Sequence, residues 1–189
     1  MKKTHWSLIL IIALLTTALP ARTPAFAAAR FTDVPSGHWS ESFVNKARDY
    51  GLMKGVGDGL FGFSRSITRA EFATILCQMF NWALTSPEAA TFADVARNQW
   101  YYTYVETALA NEVMDKAATF SPDQPILRED MATMLVRALG YNTLAVKASQ
   151  FGHPFKDVTD KAGYIAIAYD IGMIKGTSAT TFAPKATAT

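Results

Sequence analysis

A single cysteine, three histidines and a nearly balanced charge remove most chemistries from this 189-residue chain before any residue is placed. With only Cys77 present, an internal disulfide is excluded. Its neighbours Ile75, Leu76, Met79 and Phe80 mark it as a small buried hydrophobe rather than a reactive thiol. His38 sits in a loop with no partner at catalytic or metal-ligating spacing. The glycine-rich stretch Gly55-Val56-Gly57-Asp58-Gly59 is followed by no Gly-Lys-Ser/Thr and preceded by no parallel-strand pattern. It therefore reverses the chain and does not cradle a phosphate. No Ser-His-Asp arrangement or paired-carboxylate constellation appears, so the chain by itself is expected to be no enzyme and to need no cofactor.

Long hydrophobic runs are equally scarce. The marked one, Leu8–Leu15, follows Lys2 and Lys3 and precedes Ala25-Phe26-Ala27, the order of a basic start, an apolar core and a small-x-small cleavage site. Residues 1–27 are therefore expected to be a signal peptide. The run is too short to span a bilayer comfortably, and no cysteine lies near the cleavage site to take a lipid. Cleavage would remove three basic residues, Lys2, Lys3 and Arg22, and no acidic one, so the formal charge falls from +2 to −1. That leaves no basic face for nucleic acid and no membrane contact, in a secreted chain of about 160 residues, the size of one domain.

What is there is repetition. Phe31-x-Asp33-Val34, Phe92-x-Asp94-Val95 and Phe155-x-Asp157-Val158 recur at intervals of 61 and 63 residues. A period of that length means one supersecondary unit copied three times. In the first copy Trp39, Phe43, Val44 and Ala47 recur at helical spacing, and Gly51 stands where a left-handed C-cap is wanted. Thr68-Arg69-Ala70-Glu71 then reads as a capping box, followed by the apolar stripe Phe72, Ile75, Leu76, Met79 and Phe80. The unit is helix–loop–helix.

Copy two carries Trp100, Val105 and Ala108 at matching offsets, then Phe120-Ser121-Pro122. Its cap is altered: Leu127 replaces the threonine, Arg128 remains, and Glu129-Asp130 replace Ala-Glu. Met131, Met134, Leu135 and Leu139 make its stripe. Copy three has a shorter entry loop and no tryptophan. It contains Tyr164, Ile165, Ala168 and Ile171, then Gly172-Met173-Ile174-Lys175-Gly176 and Phe182-Ala183-Pro184. Helices are expected near 38–50, 68–83, 100–113, 127–139 and 162–171, converging on one shared core. The repeats are expected over 31–84, 92–141 and 155–189, the third incomplete, so that Phe155, Ile165 and Phe182 lack part of their cover.

These elements together resemble the S-layer homology (SLH) family over residues 31 to 189. The resemblance implies an all-α pseudo-threefold spindle of three repeats, its last helix missing. It also implies grooves between repeats that bind a secondary cell-wall polysaccharide, commonly one bearing a pyruvate ketal. The chain would then anchor non-covalently to the wall of a Gram-positive-type bacterium. Alternatives are an S-layer lattice protein that self-assembles, or the targeting portion of a longer secreted enzyme with a fused cargo.

Arg69 and Arg128 each sit at the first helical position, where a cation opposes the macrodipole and costs a few tenths of a kcal/mol. Exposed helix N–H groups beside an arginine suit a carboxylate such as the ketal's. The competing reading pairs the arginine with Asp58, Glu71 or an acid of a neighbouring repeat. Trp39 and Trp100 either seal the core or offer a face to sugars. Asp33, Asp94 and Asp157 either close turns or contact the groove; a calcium site is disfavoured because ligand-dense spacing is absent. The polysaccharide-binding candidates are thus Arg69, Thr68, Glu71, Trp39, Asp33, Arg128, Trp100 and Asp94, with Arg69 expected to dominate.

Overall fold

The chain turns on a loop device that is built three times. The computed structural model describes residues 31–148 and 152–188, so the expected signal segment lies outside the described residues. In each repeat the opening aspartate reaches 25 to 30 residues ahead and accepts backbone N–H groups of the turn at the second phenylalanine. Asp33 takes Phe61 and Gly62 at 2.7 Å and Phe63 at 2.9 Å. Asp94 takes Phe120 and Ser121 at 2.8 and 2.7 Å, and Asp157 takes Phe182 and Ala183 at 2.9 and 2.7 Å. Gly62, Ser121 and Ala183 all stand at positive φ (84°, 58° and 59°), the bend that turns successive N–H groups toward one anion. The two phenylalanines of each repeat meet at ring separations of 5.4, 5.5 and 5.4 Å.

Glycine is required beneath the opening ring in copies one and three. A Cβ on Gly55 would lie 2.6 Å from the Phe31 ring, and one on Gly176 would lie 2.4 Å from that of Phe155.

Six helices hang on these devices among the described residues: α1 (Glu41–Asp49), α2 (Arg69–Met79), α3 (Tyr102–Ala110), α4 (Arg128–Ala138), α5 (Asn142–Lys147) and α6 (Ala162–Asp170). None exceeds 11 residues, short enough to be marginal alone, so packing must hold them. α2 lies on α3, and α4 on α6, so each repeat's second helix covers the first helix of the next repeat. Phe72, Leu76, Val105, Ala108, Val136, Ile165 and Ala168 fill the core between them.

The repeats close on one another through backbone. Ile67 N–H donates to the Ala188 carbonyl (3.0 Å), Ala188 N–H to Ile126 (3.1 Å), and Ile126 N–H back to Ile67 (2.9 Å). Each of these residues stands six positions after its repeat's second phenylalanine. A cycle of three equivalent bonds marks a pseudo-threefold axis, as the all-α spindle required.

Three expectations need correction. Phe155, Ile165 and Phe182 do not lack cover: they are 5, 0 and 0% exposed. The unforeseen α5 supplies part of it, packing so tightly on α6 that a Cβ on Gly163 would fall 2.0 Å from the Ala145 carbonyl. Tyr169 adds an edge contact to Phe155 at 5.0 Å. The stripe of α1 is not buried either, since Trp39 and Phe43 are 75 and 63% exposed and only Val44 is buried within the helix. α1 packs against no other described helix. In α2 the buried side comprises Ala70, Phe72, Ala73, Leu76 and Cys77, whereas Met79 faces out, because the helix ends there with Phe80 stacked on Trp82.

Candidate functional site at the repeat junctions

The start of α2 is built as its sequence implied. Thr68 Oγ1 accepts from the Glu71 N–H (3.2 Å), and Glu71 Oε2 accepts from the Thr68 N–H (2.8 Å). Arg65 grips both Glu71 oxygens, at 3.0 and 2.7 Å. Burial pushes Glu71 up, but the Arg65 and Thr68 hydrogen bonds outweigh it and hold the carboxyl below its ordinary value.

The next two N–H groups do not await a ligand. Arg69 N–H donates to the Gln124 carbonyl at 2.9 Å and Ala70 N–H to that of Pro122 at 3.0 Å. This overturns the expected role of those amides as a carboxylate cradle. Helix N-termini leave orphan donors, and here the turn of the following repeat takes them. The Arg69 side chain follows the same path. Its Nε donates to the Phe120 carbonyl (2.8 Å), its guanidinium lies 4.9 Å over the Phe120 ring, and Nη1 pairs with Asp130 at 3.0 Å. Asp130 also pairs with Lys161 of the third repeat.

Arg128 repeats the arrangement one unit on. Its N–H donates to Ala186 (2.9 Å) and that of Glu129 to Pro184 (3.1 Å), while Nε binds the Phe182 carbonyl at 3.0 Å. The guanidinium lies 4.7 Å over the Phe182 ring, and Nη2 reaches the Lys175 carbonyl at 2.6 Å. No carboxylate pairs with Arg128 among the described residues. Burial lowers its pKa, with Asp157 pulling the other way, yet a guanidinium stays charged.

An open depression of about 310 Å³ lies at the first junction, lined by Arg69, Phe120, Ser121, Gln124, Leu127 and Asp130. It offers a guanidinium with Nη2 left over, a carboxylate, backbone edges and ring carbon, a mixture suited to a hydroxylated ligand. Of the predicted residues Arg69 alone lines it; Thr68 and Glu71 cap the helix that carries Arg69, and Asp94 holds the Phe120–Ser121 turn. Arg128 belongs to the second junction. Asp33 ties the turn of repeat one, where three N–H bonds, that of Phe61 foremost, hold its carboxyl below the usual value. Trp39 and Trp100 are 75 and 59% exposed, so neither seals the core.

Sequence reading missed Asp130, Lys161, Glu129 and Lys185. Glu129 is 3% exposed and pairs with Lys185 at 2.5 Å. The available signal was position: Asp130 stands ten residues after Phe120 as Glu71 does after Phe61, but with Leu127 at the N-cap it makes no cap bond and pairs instead with Arg69 and Lys161.

Residues 30–73, 91–132 and 154–189 each match the S-layer homology domain. The whole chain aligns at 31% identity with an S-layer protein of Bacillus thuringiensis subsp. finitimus, of which it covers 24%. With S-layer protein EA1 of Bacillus anthracis the identity is 33%, over 86% of this chain and 19% of that protein. Exoglucanase XynX of Acetivibrio thermocellus is 27% identical over 84% of this chain and 15% of its own length. The chain spans less than a quarter of the length of each of these relatives.

Proposed function

Because the chain belongs to the S-layer homology domain family, we propose that it is a non-covalent attachment module that binds a secondary cell-wall polysaccharide at a bacterial surface of the Gram-positive type. The three repeats would occupy 31–84, 92–141 and 155–189, and residues 1–27 would serve as the export signal. The observation that carries this reading is the depression between repeats one and two, where Arg69 keeps Nη2 beyond its internal bonds. Thr68 and Glu71 fix the helix start that positions this arginine, and Asp94 fixes the opposing turn. A polymer carboxylate, such as that of a pyruvate ketal, would complete the arginine's charge-assisted bonding. Trp39 and Trp100 offer faces on which sugar rings stack. Arg128 and Asp33 are the equivalents in the neighbouring repeats.

Relatives with different printed names, an S-layer protein and an exoglucanase, share this stretch as a minor part of their length. That supports attachment as the work of the module itself, with lattice assembly or catalysis belonging to other parts of such proteins. Cosedimentation of the full chain with purified sacculi tests it. Binding to intact sacculi that disappears once the secondary polymer is removed is expected. Equal binding to bare peptidoglycan would overturn the proposal.

A further inference from the structure

Asp130 stands on the wall of the first-junction depression beside Arg69, where a carboxylate ought to repel the carboxylate of a polymer. Its Oδ2 takes Nη1 of Arg69 at 3.0 Å, and the two side chains are 21 and 25% exposed. Alone, the two charges would cancel and leave no net attraction for an anion. They are not alone. Asp130 Oδ1 is held by Nζ of Lys161 from the third repeat. The adjacent acid, Glu129, lies 3.9 Å from the same Nζ but is answered by Lys185 at 2.5 Å. The series Arg69, Asp130, Lys161 therefore sets two cations against one anion.

Lys161 takes this place in an unfavourable backbone conformation. It is the N-cap of α6 at φ 55° and ψ 23°, in the left-handed region, and its side chain makes no cap bond. The corresponding caps of α1 and α3, Ser40 and Tyr101, are right-handed. A left-handed lysine persists only where its surroundings over-determine it, and here Asp130 of the second repeat holds its side chain. Lys161 does not itself line the depression, so it acts on a ligand through Asp130.

We infer that Lys161 is a positioning residue that sets the sign of the first groove. By taking up the charge of Asp130 it leaves Arg69 a net cation toward a carboxylate-bearing polymer, and it makes a groove between repeats one and two depend on repeat three. This rests on the attachment reading proposed above. A charge effect of this kind has a signature that a structural one lacks: removing the acid as well should undo the removal of the lysine.

Cosedimentation of the full chain with sacculi that retain their secondary polymer, titrated at low ionic strength, tests it. Lys161→Met is expected to weaken binding about tenfold. Lys161→Arg should restore it, and Lys161→Met combined with Asp130→Asn should recover most of the loss. Lys161→Gly removes the charge while easing the left-handed backbone, so it should weaken binding as Lys161→Met does even if the methionine variant folds poorly; circular dichroism reports the fold of each. Unchanged binding by Lys161→Gly, or a double variant weaker than Lys161→Met, overturns the inference while wild-type binding still upholds attachment. A wild-type chain indifferent to the polymer overturns both.

Discussion

At the level of single residues, the repeated aspartate carries more of the structure than its composition suggests. Three backbone N–H groups converge on Asp33, and an alanine there leaves all three without an acceptor. Asp33→Ala should lower Tm clearly, and by more than Asp58→Ala, which removes an exposed carboxylate but places an alanine at positive φ (50°). Asp33 and Asp157 both sit below the ordinary 3.8, the backbone bonds from Phe61 and Phe182 being the first cause. The unfolded chain therefore binds these protons more readily than the folded one. Their contribution is full above about 3.8 and is lost as pH falls through the lower folded values. Tm measured from pH 7 down to pH 2 should be flat for these groups until about pH 4 and then fall. Thr68→Ala should cost about 1 kcal/mol by loss of the cap. Arg69→Ala, which also breaks the Asp130 pair and the Phe120 bond, should cost about 1.5–3 kcal/mol of stability and weaken sacculus binding by the folded protein. Stability loss with undiminished binding would make Arg69 purely a junction residue. The capping box was legible because it is local in sequence. The junction bonds were not, since Phe120 and Asp130 lie 51 and 61 residues from Arg69 and a spacing pattern names no partner at that distance.

Among the elements, α1 and α5 depart from what periodicity suggested. Trp39, Phe43 and Val44 recur at the helical period in α1 and its entry, and a helix forms, but period reports a face and not what covers it. Amide exchange in α1 should accordingly be faster than in α3 and α6, both of which lie under another helix. Equal protection in all three would contradict the exposure of α1. α5 escaped notice because Leu144 and Val146 face solvent and only Ala145 is buried within it. Its hold on α6 depends on the absence of a side chain at Gly163. Gly163→Ala should destabilise by about 1–3 kcal/mol, the ordinary penalty of overpacking, even though alanine is the better helix former.

For the molecule as a whole, the three-copy period was enough to read helix–loop–helix units and their symmetric assembly, because each copy repeats the same phenylalanines, aspartate and helix start. The ring of Ile67, Ala188 and Ile126 was out of reach, since backbone bonds leave no mark on side-chain choice. That ring changes the order in which the chain can acquire its structure. Repeats that touch only their sequence neighbours can fold as they emerge from the ribosome, one after another. Here the bond from Ile67 to Ala188 and the Ser66–Thr187 contact beside it, 121 residues apart, cannot form until the third repeat has been made through Ala188. The first repeat must therefore wait for the last. Closing so long a loop comes late and at an entropic cost that local contacts avoid, and a nascent chain released before Thr187 and Ala188 would lose a contact of its first repeat as well as of its third.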